Sequence, residues 1–131
     1  QTLHKGGSIN GIAHSTSDHC LITAGADKMI NVLEPRMNFS PLFRFKDHKD
    51  FIYSLKVVDG LCFSGAGNGW LLVHELETGR CLYGLGAGQA AIRCIDLTQR
   101  SLVTGSIFEN LKGLMFEAGD EGKVMIYDFL I

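Results

Sequence analysis

Five histidines, four cysteines and a glycine-rich turn are the residues of this chain best suited to do chemistry. His4, His14, His19, His48 and His74 are scattered, and no two share a metal-ligand spacing on one recognisable element. Cys20, Cys62, Cys81 and Cys94 fall inside apolar runs and lack any Cys-x-x-Cys pairing. They read as reduced core residues of an intracellular protein, since a zinc site would need a ligand spacing absent here. No Gly-x-Ser-x-Gly elbow presents a nucleophile. Tyr83-Gly84-Leu85-Gly86-Ala87-Gly88-Gln89 follows an apolar run and invites a nucleotide-loop reading. A dinucleotide fingerprint must open a helix whose free N–H groups meet the pyrophosphate. The following Ala90–Ile95 reads instead as a strand, so the glycines form a flexible turn. Asn38-Phe39-Ser40 matches the glycosylation pattern, but nothing else points to secretion and Pro41 follows at once. Neither catalysis, a cofactor nor a metal is expected.

Composition narrows the partners. The 12 basic and 14 acidic residues are mixed along the chain, giving a net charge of −2. No basic run could neutralise a phosphate backbone, so nucleic acid is not expected as the main partner. No apolar stretch approaches the roughly 20 residues that span a bilayer, and a membrane is not expected either. An intracellular, cytoplasmic setting is expected, with a nuclear or ciliary one left open.

The elements that must position these residues repeat. A strand, a hydroxyl residue before a small one, a tight polar turn and a strand ending in an acid recur three times. The copies are Thr23–Lys28 into Met29–Glu34, Ser64–Gly69 into Trp70–Glu75, and Ala118–Gly122 into Lys123–Asp128. Asp27 and Asn68 lie about 41 residues apart, within reach of the roughly 40–45 of a four-stranded propeller blade. Asn68 and Glu121 lie about 53 apart, so the third unit carries about 12 extra residues by that measure. Aligned units place strand a at Ile9–Ala13, Ile52–Val57 and Ile92–Leu97, and strand b at Cys20–Thr23, Leu61–Ser64 and Ser101–Thr104. Strand c follows each turn, and Met29–Val32 and Lys123–Ile126 alternate like half-buried strands. Strand d is Leu42–Phe45 in the first unit and Arg80–Leu85 in the second. The chain is therefore expected to be all-β, in approximate units 1–45, 46–85 and 86–131.

The second unit carries a resemblance. Asp47-His48-Lys49-Asp50-Phe51-Ile52 resembles the Gly-His loop of WD40 repeats, with Asp in place of Gly. The segment His74-Glu75-Leu76-Glu77-Thr78-Gly79-Arg80-Cys81-Leu82 looks like that family's Trp-Asp-Leu-x-Thr-Gly turn. The resemblance implies four-stranded antiparallel blades of a partial β-propeller, since closed propellers use roughly 4–8 blades. The remaining blades would come from the parent chain or a partner. Gln1 suggests that the native N-terminus lies upstream; Gln1–Leu3 would end a strand d, and the chain stops on a strand c.

Family blades are often braced by a buried tetrad of His, Ser or Thr, Asp and Trp, whose members must satisfy one another. In the second unit His48 and Ser64 match, Asn68 replaces Asp, and His74 stands where Trp would be. The first has Thr23 and Asp27, a displaced His4, and Leu33 for Trp. The third has Thr104, Glu121 and Tyr127, with Gly88 at the His position. Every tetrad is thus expected to be degraded, leaving apolar packing to hold the blades.

In the third unit an insertion is expected near Ile107–Glu117. Ile107, Phe108, Leu111, Leu114 and Met115 follow an amphipathic helical stripe, interrupted by Gly113 at a cost of about 1 kcal/mol. It reads as a docking helix, an apolar loop packed on its own blade, or an aberrant insertion. The loop-lined end of a propeller would show Lys49, Asp50, Phe51, Asn68, Trp70, Gln89 and Arg93, the candidate partner contacts. Trp70 leads, because Trp and Arg are enriched at interface hot spots, with packing between blades as the other reading. The resemblance implies a non-catalytic scaffold or adaptor for other proteins in a multi-subunit complex. The alternatives are the substrate-recognition propeller of an F-box/WD-repeat ubiquitin ligase adaptor and, from another class, an enzyme or small-ligand binder at the channel mouth.

Overall fold

The computed structural model describes residues 2–15, 19–86, 90–101, 111–119 and 124–128. Short apolar runs bounded by turn residues pair as antiparallel sheets. The first sheet holds β1 (Ile9–Ser15), β2 (Cys20–Gly25), β3 (Ile30–Glu34) and β4 (Ser40–Phe45) in sequential order. The second repeats it with β5 (Ile52–Val58), β6 (Leu61–Ala66), β7 (Trp70–Glu75) and β8 (Cys81–Gly86). The third is built from β9 (Ile92–Ser101), β10 (Leu111–Gly119) and β11 (Val124–Asp128), with β10 in the middle. A single 3-10 turn at Pro35–Met37 is the only helical element among the described residues. The all-β architecture of partial propeller blades is thus the observed one. Thr2 and Leu3 form no strand, and Gln1 lies outside the described residues, as does Gln89.

All three sheets share one irregularity. Between β1 and β2 the register steps from Ile9↔Gly25 to Gly11↔Ala24; between β5 and β6, from Ile52↔Ala66 to Ser54↔Gly65. Between β9 and β10 it steps from Ile92↔Gly119 to Cys94↔Ala118. A bulge at the start of each strand a bends and twists the sheet at the same place, so the repeat extends to backbone detail.

The third sheet corrects the sequence reading. Strand a runs on to Ser101, and strand b is Leu111–Gly119, not Ser101–Thr104. Leu111–Glu117 of the expected helical insertion therefore lies in a strand, while 102–110, with Thr104, fall outside the described residues. The stripe was ambiguous: Leu114, Phe116 and Ala118 also recur at the period of two that places residues on one face of a strand. Gly113 penalises a helix, whereas the long pairing with β9, from Leu111↔Ser101 onward, satisfies the backbone. Glu117, paired with Ile95, occupies the register position that Thr23 and Ser64 hold in the first two sheets.

The core lies between sheets. Ile22, Ala24, Ile30, Val32 and Phe45 of the first meet Ile52, Cys62 and Leu76 of the second. Phe63, Leu71 and Val73, on the second sheet's other face, meet Ile92 of the third. The second sheet is covered on both faces, so all six residues of β6 are buried. Every residue of β3 is buried too, where the sequence alternation suggested a half-buried strand. Gly65 marks how close the sheets come: a Cβ there would lie 2.5 Å from Ile92 Cγ2 and from Ser54 Oγ. One side chain bridges each junction to the next strand a. Asn10 Nδ2 donates to Ile52 O at 2.9 Å, and Ser54 Oγ to Ile92 O at 3.3 Å. Cys20 and Cys62 are buried, but Cys81 and Cys94 are exposed and do not belong to the core.

Candidate functional site

The polar residues inside the first two sheets form two different networks. In the first, His4 Nδ1 donates to Asp27 Oδ1 at 2.8 Å, and Nε2 lies 2.8 Å from Thr23 Oγ1. With the proton on Nδ1, Nε2 accepts from the Thr23 hydroxyl and from Asn31 Nδ2 at 3.2 Å. Asn31 Oδ1 in turn accepts from Arg44 Nε at 2.9 Å. His4 is therefore displaced in sequence but joined in space, and this network is continuous, although Asp27 Oδ2 is buried without a partner. Leu33 is no member; Asn31, which sequence reasoning missed, supplies the contact from strand c. Its signal was a polar residue alternating into a strand that is otherwise apolar.

In the second sheet, His48 Nε2 donates to Ser64 Oγ at 2.7 Å, and Ser64 Oγ to Leu72 O at 3.4 Å. The network ends there. Asn68 Oδ1 accepts from Trp70 N at 3.3 Å, as Asp27 Oδ1 does from Met29 N at 3.2 Å, but Asn68 makes no bond to His48. His48 Nδ1 is buried without a partner. Burial, reinforced by His74 nearby, pushes the His48 imidazole down to about 4. A buried Ser–His pair kept neutral braces a sheet; with Ser64 wholly buried, no substrate reaches its hydroxyl.

His74 does not enter that network. It is fully buried, its ring stacks on Phe45 at 4.2 Å, and Nε2 donates to Asp47 Oδ2 at 2.9 Å. Cys81 Sγ lies within 4.8 Å of both ligand atoms, a gathering of three donor types that sequence spacing did not reveal.

Among the described residues, the expected contacts Phe51, Asn68 and Trp70 sit at the end of the second sheet that carries its b–c turn, and Gln89 lies outside the described residues. Phe51 and Trp70 are 44% and 48% exposed, so Trp70 is not packed between sheets. Its ring lies over the glycines of β8: a Cβ at Gly86 would stand 3.0 Å from three of its carbons. Phe51 meets Tyr53 edge-on at 6.4 Å, and the Arg93 guanidinium lies 4.0 Å above the Tyr53 ring. Asp50 caps its neighbour through Phe51 N, and Phe51 O accepts from Gly67 N at 2.8 Å, which ties this loop to the b–c turn. Lys49 is exposed beside them, with Asp50 and Asn68 half-buried. Residues 50, 51, 53 and 93 thus form one patch across the junction of the second and third sheets, with Asn68 and Trp70 on the neighbouring turn. Of the glycine run, Gly84–Gly86 lie in β8, residues 87–89 fall outside the described residues, and β9 begins at Ile92.

Similarity to known proteins is one of fold. No protein-family model and no curated protein sequence matches the chain. Among solved structures, the chain resembles the WD40 β-propeller domain of Doa1 (TM-score 0.71, 23% identity), covering 92% of this chain and 37% of that one. It resembles Saccharomyces cerevisiae Sqt1 (TM-score 0.79, 18% identity) over 92% of this chain and 31% of that one. The computationally designed Ika4 protein matches at TM-score 0.74 and 15% identity, over 92% of this chain and 66% of Ika4. The chain spans about a third of the two natural proteins' length and just under two thirds of the designed one.

Proposed function

We propose that the chain forms part of a WD40-like propeller that works as a non-catalytic protein-interaction scaffold in an intracellular complex, engaging its partner through the end that carries Phe51, Trp70 and Arg93. The observation that carries this reading is the pair of exposed aromatics, Phe51 and Trp70, on a rigid frame beside the Tyr53–Arg93 stack. Aromatic and Arg side chains offer large contact area at low entropic cost, and function on such a scaffold resides in its loops. The buried, neutral Ser64–His48 pair supports a non-catalytic role, and four cysteines held as thiols support an intracellular setting. Further blades, from the parent chain or a partner, lie against the first sheet in this reading. Ile9 and Ile12 there are 52% and 67% exposed, which fits a face that a neighbour covers.

The test is native capture of the tagged chain from cells, followed by mass spectrometry, with Phe51→Ala, Trp70→Ala and Arg93→Glu alongside. Stable co-purifying proteins, lost about tenfold or more in these variants while β-rich circular dichroism persists, are the expected result. Capture that is unchanged in all three variants would place the partner surface elsewhere.

A further inference from the structure

We infer that Asp47, His74 and Cys81 form a zinc site that pins the segment linking the first and second sheets to strands β7 and β8. The strand register builds this site. Val73 pairs with Tyr83, but His74 pairs with Cys81, so a bulge at Leu82 takes up one residue. Such a bulge re-aims side chains, and here it sets Cys81 directly across from His74. Asp47, from the segment after β4, closes the third side through its contact with His74. The three ligand atoms lie within 4.8 Å of one another.

The first sheet supplies an internal control. Its β3–β4 pairing has the same bulge, from Val32↔Phe43 to Leu33↔Pro41. Leu33 and Pro41 therefore occupy the positions of His74 and Cys81. One strand arrangement carries Leu and Pro in one sheet, and imidazole and thiol in the other. The fold does not require donors at these positions.

The chemistry of the set suits zinc, which takes nitrogen, oxygen and sulfur ligands in tetrahedral geometry. His74, wholly buried and stacked on Phe45, is the fixed member. Asp47 and Cys81 are exposed, which leaves them free to adjust and gives the ion a way in. On binding, the Cys81 thiol loses its proton to solvent and the His74 proton moves from Nε2 to Nδ1. Nδ1 has no hydrogen-bond partner, so that move breaks no bond there. Thiolate and carboxylate together balance the charge of Zn²⁺, and water or a partner's side chain takes the fourth position.

The experiment is a cobalt titration of the chelator-treated chain, followed by displacement with Zn²⁺. A thiolate-to-cobalt charge-transfer band with tetrahedral visible bands, both abolished by stoichiometric Zn²⁺, is expected. Cys81→Ser should remove the charge-transfer band, and Asp47→Asn should weaken zinc binding about tenfold or more. Cys94→Ser, which alters the other exposed thiol, should leave the spectrum intact. Both ligand variants change exposed side chains, so folding checked by circular dichroism keeps the comparison valid even if a His74 variant collapses. The inference is overturned if the wild-type chain gives no charge-transfer band, if the band survives in Cys81→Ser, or if it depends on Cys94.

Discussion

The first and second sheets share strand order, bulges and turn geometry, yet they spend their buried polar residues differently. In the first, Asp27, His4, Thr23, Asn31 and Arg44 form one continuous chain of hydrogen bonds. In the second, His48 and Ser64 stand alone, and His74 turns to Asp47 on another side. The difference lies at a few positions of the shared register: Asp27 against Asn68, Asn31 against Leu72, Arg44 against Gly84, and Leu33 against His74. A network is stable in proportion to how fully its members satisfy one another, so the two sheets should respond unequally to the same perturbation.

The largest expected contrast follows from deleting the histidine in each sheet. His4→Ala removes one partner of the buried Asp27 carboxylate, which keeps Met29 N, removes the partner of Thr23, and leaves Asn31 Nδ2 only a long contact with Leu3 O at 3.4 Å. Losing one hydrogen bond to a carboxylate and two neutral ones costs about 3 kcal/mol. His48→Ala costs less, about 1–2 kcal/mol, because it orphans only Ser64, which keeps Leu72 O. Urea unfolding of both variants measures the gap; equal losses would show that the longer chain of bonds adds nothing.

Acid should sharpen the contrast. The His48 imidazole titrates near 6.5 when unfolded and is held down to about 4 by burial in the fold. Between those values the unfolded chain binds more protons than the folded one, so stability falls as pH drops through this window. Above pH 6.5 both states are neutral at this site and no penalty remains. A shift of this size corresponds to roughly 3 kcal/mol lost by pH 4. His74, also lowered chiefly by burial, moves stability in the same direction. Unfolding midpoints measured from pH 7 to pH 4 should decline, and His48→Gln should flatten the decline. A wild-type profile that is level over that range would contradict the buried, neutral His48.

The sequence announced some of this and hid the rest for physical reasons. Strand a, strand c and the turns of the first two units were legible because short apolar runs between Gly, Asn and Asp have few other ways to fold. The third unit misled: Leu111, Leu114 and Met115 fit a helical stripe as well as a strand, and only the pairing of β10 with β9 decides between them. Thr23, Asp27, His48 and Ser64 were read as braces, and the structure brings them to their histidine or hydroxyl partners. Asn31 escaped notice because a polar residue alternating with apolar ones reads as the solvent side of a strand, whereas every residue of β3 is buried. Asp47, His74 and Cys81 escaped because their meeting depends on a one-residue bulge at Leu82, which no spacing rule registers.

The smallest effect tests one of the positions at which the two networks diverge. Asn68 and Asp27 each accept a backbone N–H two residues ahead, so their side chains start from equivalent turns. Asp27 also takes the proton of His4 Nδ1, whereas His48 Nδ1 is buried and unpaired. Asn68→Asp places a carboxylate where Nδ1–H can donate to it. His48 would then exchange its tautomer, carry the proton on Nδ1 and accept from Ser64, as His4 accepts from Thr23. The Ser64 bond to Leu72 O is given up, but at 3.4 Å it is the weakest in the group. One charge-assisted bond gained against one long bond lost leaves a stabilisation of about 1 kcal/mol. The same carboxylate favours the protonated imidazole, so the acid-sensitive window should move to lower stability loss at pH 5. A thermal midpoint that rises at neutral pH, together with that flatter acid profile, marks the repaired network. A midpoint that falls would show that Asn68 is held by its turn and that the gap at His48 cannot be filled from that position.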